Sequence, residues 1–491
     1  MKRLLSKYNN LQNYILYILP TILYFFNIRN IVFPINYQQD DVRELYISEY
    51  LELSCVLDKG DNHPLWTYMI WFLSKISPVE LGYLVSSLNI FLLIISMYFV
   101  VHFFNEKFDY KVATLISIIL VSSPAVLTYS VSLKQYMIEL FFSSYCLFVS
   151  RNNNSLNRSF NSKSFYIISV LCVLGSLVNA GVFALLVFYF LIKDKLEISN
   201  LKYLMVFIVP VILYFERIID KVTRDGYGSY WENFFITTTT SEGLFTKFIF
   251  IFNMMLKSFF GYFYKDQLVY LLVLLIFLSI FYKINENLFP KIVFISFIFL
   301  NILKLYPLGT GRTDIVLFPF ALVFVAKIAS LFLDKLNRVS YFLLISTILI
   351  FIFLNVNSFY KQEQIDLALL DIHSAFNEDI SIIIAEEQFP SFDYYGRKVF
   401  GSKIVDENNC SIIKPNIEYS VVGRRHIVNT EINKEFDYVY KKSEIIILGI
   451  ELDSRGVFRD IEDALFEKGY KLVKSNTYPD GIFLNFYEIN N

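Results

Sequence analysis

Charged residues make up only 18% of this chain and are nearly absent from long stretches of it. A water-soluble protein of 491 residues needs a mixed, charged surface, so an ordinary soluble fold is excluded over most of the length. The net charge of −1 gives no global attraction for nucleic acid. Glycine (17) and proline (12) are sparse, which argues against a loop-rich chain. The four cysteines, Cys55, Cys146, Cys172 and Cys410, show neither metal-ligand spacing nor a dense disulfide pattern. Cys146 and Cys172 lie in apolar segments and read as small core residues.

What fills the chain instead is apolar sequence. Hydrophobic residues account for 55%, with 51 Phe and 35 Tyr. Runs of about 17–25 apolar residues, enough to cross a bilayer core of about 30 Å, recur along most of it. Such spans are helical, because unpaired backbone groups are too costly in hydrocarbon. The expected spans are 13–34, 79–104, 112–130, 135–150, 165–178, 181–193, 203–219, 267–283, 290–306, 313–333 and 339–357. The pair at 165–193 is short and split by "VNAG", and 246–264 reads either as an interfacial helix or as another span. The opening "MKRLLSKYNNLQNYILYILPTILYFF" has a basic head and no small-residue cleavage site after its apolar run, so a retained first helix is expected.

Lys and Arg are distributed unevenly between the connections. "MKRLLSK", "NEKFDYK", "RNNNSLNRSFNSKS", "KDKLEISNLK", "KINENLFPK" and "LDKLNR" carry them, and these segments alternate with "SVSLKQ", "VNAG" and "YPLGTGRT". The positive-inside rule then places the N-terminus in the cytoplasm and the first long loop outside. From residue 358 the composition shifts. "SEIIILGIEL" and "GIFLNFYEI" read as strands and "RDIEDALFEKGY" as an amphipathic helix, without a phosphate-cradling glycine loop or a nucleophile elbow. The expected architecture is an all-α polytopic membrane domain over 1–357, including a first outer loop at 34–78, and a small, accessory α/β domain over 358–491.

That first loop contains "QQDDVRELYISEYLELSCVLDKGDNHP", with seven carboxylates. Val42, Leu45, Tyr46, Tyr50 and Leu53 recur at helical spacing, which predicts a helix lying along the membrane surface. Asp41 followed by Glu44 resembles a capping box, so Asp41 has a structural role open to it. Asp40 falls outside that helix. It is either a solvated loop acid or, beside a second carboxylate, a general base. His63 precedes Pro64 at a helix start, and reads either as a polar entry residue or as a phosphate contact, proton carrier or metal ligand.

Three further outer spots hold polar groups. Lys134 and Gln135 sit in "SVSLKQYMIEL", at the turn between two spans. "TRDGYGSYWENFF" offers Arg224, Asp225, Tyr227, Tyr230 and Trp231, suited to stacking on sugars and bonding their hydroxyls. Arg312 and Asp314 open a late span in "LYPLGTGRTDIVLFPF". An arginine at such a boundary either snorkels to headgroups or clamps a phosphate.

In order, side and spacing, these motifs resemble the GT-C superfamily of integral-membrane glycosyltransferases. The similar branches are relatives of protein O-mannosyltransferase and of the lipid A aminoarabinose transferase. "DDVRELYISEYLE" is similar to the family's acidic pair, and "DNHPLWTYMIWFL" to its His/Lys-Pro-Pro stretch. "LKQYMIEL" and "YPLGTGRTDIVLFPF" look like its Arg/Lys-x-Tyr segment and late-span opening. The resemblance covers about 10 to 357 and departs at "NHPL", where one proline stands for two and Asn62 takes the basic position.

The resemblance implies a GT-C fold of about eleven transmembrane helices. It implies transfer from a polyprenyl-phosphate sugar donor to a glycan, lipid or protein acceptor at the outer face of a bacterial inner membrane. The catalytic pair would be Asp40 and Asp41, with Asp40 the base, and Lys134, Arg312 and His63 would hold the donor phosphate. Asp61, Tyr227, Tyr230 and Trp231 would meet the sugar or acceptor. Some relatives bind a divalent metal, for which Asp40, Asp41 and Asp61 supply oxygens, although nothing in the sequence requires one. Two other readings remain open. A lipid-linked-sugar flippase would want ionisable groups at mid-membrane, yet Glu139 and Glu216 fall near helix ends. A polymerase or ligase acting on diphosphate donors would use a large basic loop, for which 217–247 offers Arg217, Lys221 and Arg224.

Overall fold

The computed structural model describes residues 16–28, 50–59, 64–77, 81–151, 163–194, 234–236, 243–261, 288–355, 365–375, 380–385, 389–407, 410–417, 419–422, 444–450, 455–478 and 482–489. Its described helices, in chain order, are α1 (Leu16–Asn27), α2 (Leu53–Lys59), α3 (Pro64–Ile76), α4 (Leu81–Lys107), α5 (Tyr110–Ser122), α6 (Pro124–Val131), α7 (Tyr136–Ser150), α8 (Lys163–Gly175), α9 (Leu177–Asp194), α10 (Leu244–Phe260), α11 (Leu288–Ile302), α12 (Phe318–Leu333), α13 (Arg338–Asn355), α14 (Ile365–Ala375), α15 (Phe389–Phe400) and α16 (Arg455–Glu467). The strands are β1 (Ile380–Ala385), β2 (Ser402–Glu407), β3 (Cys410–Pro415), β4 (Ser420–Val422), β5 (Glu444–Ile450), β6 (Tyr470–Thr477) and β7 (Ile482–Ile489).

Two compact units result, and they do not follow a single cut in the chain. A helical unit takes Met1–Val32, Asp61–Trp66 and Leu84–Tyr360. A sheet unit takes Phe33–Gly60, Thr67–Tyr83 and Lys361–Asn491.

In the helical unit, α4 runs for 27 residues, or about 40 Å at 1.5 Å per residue. Among the described residues, α4 and the stretch Thr313–Leu333 are long and apolar enough to cross a membrane. A third span exists if the bent pair α5–α6 counts as one. The expected single span at 112–130 is therefore broken. Ser123 turns extended and Pro124, which has no N–H to donate, starts a new helix at 55° to the first. The ambiguous 246–264 region forms α10, whose Ile251, Phe252, Met255, Leu256 and Phe259 are buried. The expected spans at 203–219 and 267–283 lie outside the described residues. Large exposed apolar side chains, including Phe91, Phe188, Phe299, Phe332 and Phe342, stud the helix exteriors, as a hydrocarbon solvent requires.

Polar groups collect at helix ends. At one end, the Asp109 carboxylate accepts from the Val112 N–H at 2.8 Å and caps α5. Lys111 Nζ donates to the Leu333 carbonyl at the end of α12 and to the Leu336 carbonyl just beyond it (3.2 and 2.8 Å). Arg151 pairs with Glu106 at 2.9 Å and lies over the Phe148 ring. The segments around 105–111, 151 and 333–338, grouped on one side by their charges, thus meet at one end of the unit.

The sheet unit carries a five-stranded mixed sheet in the order β4-β1-β5-β7-β6, with β1 parallel to β4 and β5, and β7 antiparallel to β5 and β6. Strands β2 and β3 form a separate antiparallel pair. The strands and helix expected near the chain's end are β5, β7 and α16. Half-buried carboxylates here have phenolic and amide partners: Asp371 accepts from Asn476 and Tyr478, and Glu462 from Asn485 and Tyr487.

Residues 50–59 belong to this unit by several bonds. Cys55 and Cys410 form a disulfide, with Cα atoms 5.7 Å apart. Tyr50 pairs with Ile412 in an antiparallel bridge, and the Leu51 N–H donates to the Ser411 carbonyl. Glu52 Oε2 accepts from the Ser411 N–H, and Trp71 Nε1 donates to the Tyr50 carbonyl. This corrects the surface helix expected to run through Tyr50 and Leu53. Tyr50 is in a strand-like bridge, and Leu53 opens the separate helix α2. Helical spacing is a local signal, and pairing with β3 overrides it.

Candidate active site

Two turns of the helical unit carry the cations singled out by the sequence, and both are held by dense hydrogen bonding. The first, between α6 and α7, holds Lys134. Three successive carbonyls of this turn accept from side chains on other helices. Val131 takes Ser86 Oγ (3.1 Å), Ser132 takes Asn89 Nδ2 (2.6 Å) and Leu133 takes Trp66 Nε1 (2.8 Å). The Lys134 N–H donates to Ser132 Oγ at 3.0 Å. Buried backbone groups need partners, and here they receive them from α3 and α4, which hold the turn in place. Lys134 is itself only 9% exposed.

The second turn, between α11 and α12, holds Arg312. Gly309 and Gly311 have φ of +85° and +80°, a region that side chains other than Gly rarely enter. At Gly309 a Cβ would also come within 2.9 Å of the Ile251 carbonyl oxygen. Asp314, fully buried, folds back over the loop, its Oδ1 accepting from the Gly309 N–H and its Oδ2 from the Gly311 N–H, each at 2.9 Å. Thr310 Oγ1 accepts from the N–H groups of Arg312 (3.2 Å) and Thr313 (2.9 Å). Thr313 Oγ1 donates to the Pro307 carbonyl and Tyr306 Oη to the Thr313 carbonyl. A short 3-10 turn, Thr313–Leu317, then leads into α12.

The helix that follows Lys134 packs against the 3-10 turn that follows Arg312, so the two cation-bearing turns belong to neighbouring elements. Asn301 ties in a third segment. It donates to the Phe234 and Tyr306 carbonyls (2.7 and 3.0 Å) and accepts from the Ile236 N–H (2.9 Å). The Leu308 N–H also reaches the Phe234 carbonyl at 3.2 Å. Phe234 follows Trp231 by three positions in the sequence.

Asp40, Asp41, Asp61, His63, Tyr227, Tyr230 and Trp231 lie outside the described residues. Among the described residues, no group of three or more His, Cys, Asp or Glu side chains could hold a metal ion.

One residue near the site was passed over in the sequence as a helix-end acid. Glu139, in the first turn of α7, is 2% exposed, and its Oε1 accepts from Ser176 Oγ at 2.7 Å. Ser176 stands in the break between α8 and α9, just ahead of the expected split at "VNAG", whose residues 178–181 fall in the first turns of α9. A carboxylate inside an otherwise apolar helix was the available signal.

No family model and no curated protein matches the chain. Solved structures do match, two of them being structures of one protein. ArnT from Cupriavidus metallidurans, in the apo state and bound to undecaprenyl phosphate, each align over 96% of this chain and 97% of theirs. Each has a TM-score of 0.50 and 11% sequence identity. At that identity the likeness speaks to architecture alone: an ArnT-like arrangement of apolar helices followed by a small sheet region, the fold of an integral membrane protein.

Proposed function

We propose that this chain is an inverting glycosyltransferase that takes a sugar from a polyprenyl-phosphate donor at the outer face of the membrane. The observation that carries the reading is the pair of built turns presenting Lys134 and Arg312 within an ArnT-like fold. ArnT is a lipid A aminoarabinose transferase of the GT-C type, and one of its solved structures holds undecaprenyl phosphate. A fixed lysine and arginine suit a lipid phosphate, whose negative charge grows as the sugar leaves. Cations held in place before reaction favour that transition state over the ground state.

Asp40 is the proposed base, with Asp41 next to it capping the helix start. The Asp40 carboxylate takes the proton of an acceptor hydroxyl or amine. The freed lone pair attacks the anomeric carbon as its bond to the phosphate oxygen breaks, and polyprenyl phosphate departs with that electron pair. His63 is a third candidate for the phosphate, and Asp61, Tyr227, Tyr230 and Trp231 for the sugar or acceptor, which is a glycan, lipid or protein. Asp40, Asp41 and Asp61 would supply the oxygens for a divalent metal.

The outer placement has support from the disulfide between Cys55 and Cys410. Disulfides persist in oxidising compartments, so the first loop and the C-terminal sheet belong outside the cytoplasm, with the N-terminus inside. The deciding assay gives purified protein in lipid a polyprenyl monophosphate sugar and, separately, a diphosphate-linked one. Release of polyprenyl phosphate from the first alone is expected. Turnover of the diphosphate donor alone, or lipid movement without bond breakage, would overturn the reading.

A further inference from the structure

The loop Gly309–Arg312 invites a reading as a phosphate cradle, since glycines with positive φ often aim successive N–H groups at an anion. The hydrogen bonds exclude that use. The two glycine N–H groups are already taken by the two oxygens of Asp314, and the Arg312 and Thr313 N–H groups by Thr310 Oγ1. The chain has filled its own cradle with its own carboxylate. The loop's charged side chain is that of Arg312.

We propose that Asp314 is a positioning residue, whose carboxylate fixes the backbone of the Gly309–Arg312 loop so that the Arg312 guanidinium is pre-set for a lipid-linked phosphate. This rests on the reading of Arg312 as a phosphate ligand. Three observations carry it. Asp314 is fully buried, a costly place for a carboxylate that is tolerated because two backbone N–H groups meet it. Those bonds close on the residues on either side of Thr310, whose hydroxyl in turn holds the Arg312 N–H. The loop is anchored from behind as well: Gly309 lies against the Ile251 carbonyl of α10, and Asn301 holds the Tyr306 carbonyl. With the backbone beneath it already fixed, the loop itself loses little further freedom when Arg312 takes two phosphate oxygens, and affinity rises by what is not lost.

A positioning role predicts coupling. The full chain in lipid nanodiscs is titrated with undecaprenyl phosphate, as the wild type, Arg312→Ala, Asp314→Asn and the double variant, with thermal midpoints measured alongside. Arg312→Ala is expected to weaken binding about thirtyfold and Asp314→Asn about tenfold. The double variant should bind no worse than Arg312→Ala, because Asp314 acts through Arg312. If Arg312→Ala weakens binding while Asp314→Asn does not, or if the two losses add in full, the positioning role is wrong and the phosphate reading survives. If Arg312→Ala binds as the wild type does, the phosphate reading itself has failed.

Should Asp314→Asn not fold, the loop is tested at Gly311, where a Cβ has room (3.4 Å from Ser258 Cβ) but the backbone is left-handed. Gly311→Ala should weaken binding, and Gly311→Asn, which tolerates positive φ, should weaken it less. Equal, wild-type affinity in both would overturn the proposal.

Discussion

Cys55 and Cys410 are joined across 355 positions of sequence, the first just before the second apolar segment and the second on a strand of the C-terminal sheet unit. Around them Tyr50, Val56 and Ile412 form a small buried cluster, with Tyr68, Trp71 and Val405 packed against it. The C-terminal region is therefore fastened to the first loop.

Thiol counting tests this directly. Protein denatured without reductant should take two maleimide adducts, at Cys146 and Cys172, and four after reduction. Four adducts before reduction would remove the disulfide and the topological argument built on it. Cys55→Ser should lower the stability of the sheet unit by about 2–4 kcal/mol, read as a lower thermal midpoint.

Asp40→Asn should cut sugar transfer by about 10²–10⁴-fold, the usual contribution of a general base, while expression and undecaprenyl phosphate binding persist. Asp41→Asn should leave most activity, since asparagine is also a good helix cap. Near-normal transfer by Asp40→Asn would move the base elsewhere in the loop.

Trp66→Phe keeps the ring but removes the donor to the Leu133 carbonyl. Leaving that carbonyl unpaired should cost about 1–3 kcal/mol of stability and loosen the turn that carries Lys134. Donor KM should rise more than kcat falls. An unchanged KM, with the midpoint lowered, would separate the turn from phosphate binding.

Alkaline pH should weaken the sheet unit. Burial, and then the bond to the Asp371 carboxylate, push the Tyr478 phenol from its ordinary 10.0 up to about 12. Burial and Glu462 also push Tyr487 upward. A raised folded-state pKa means that the folded unit holds its protons longer than the unfolded chain does. The stabilisation is complete below pH 10 and is lost as pH rises through about 12. Denaturation midpoints measured from pH 9 upward should fall, and Tyr478→Phe should flatten that slope. An equal slope in the variant would argue against the tyrosine.

Much of this protein was legible in its residues taken in order. Runs such as Leu81–Lys107 specify membrane helices through solvent alone, because hydrocarbon leaves the backbone no other partner. The positions of Lys134 and Arg312 at span boundaries, and the strands and helix near the chain's end, followed from local pattern. The likeness to GT-C enzymes was carried by the order of short motifs, and the ArnT-like fold agrees with it.

Contacts between distant residues were decided only by the tertiary structure. Nothing near Cys55 names Cys410, and the spacing around Tyr50 argued for a helix until β3 supplied a partner strand. Glycines 309 and 311 are visible in "PLGTGRTD", yet only the folded loop shows Asp314 occupying their N–H groups. Likewise the Lys134 turn is made firm by Trp66, Ser86 and Asn89, which stand 45 to 68 positions earlier. Sequence pattern reports periodicity and solvent preference, which are properties of neighbours. Hydrogen-bond satisfaction in a buried turn is a property of whatever the fold brings beside it.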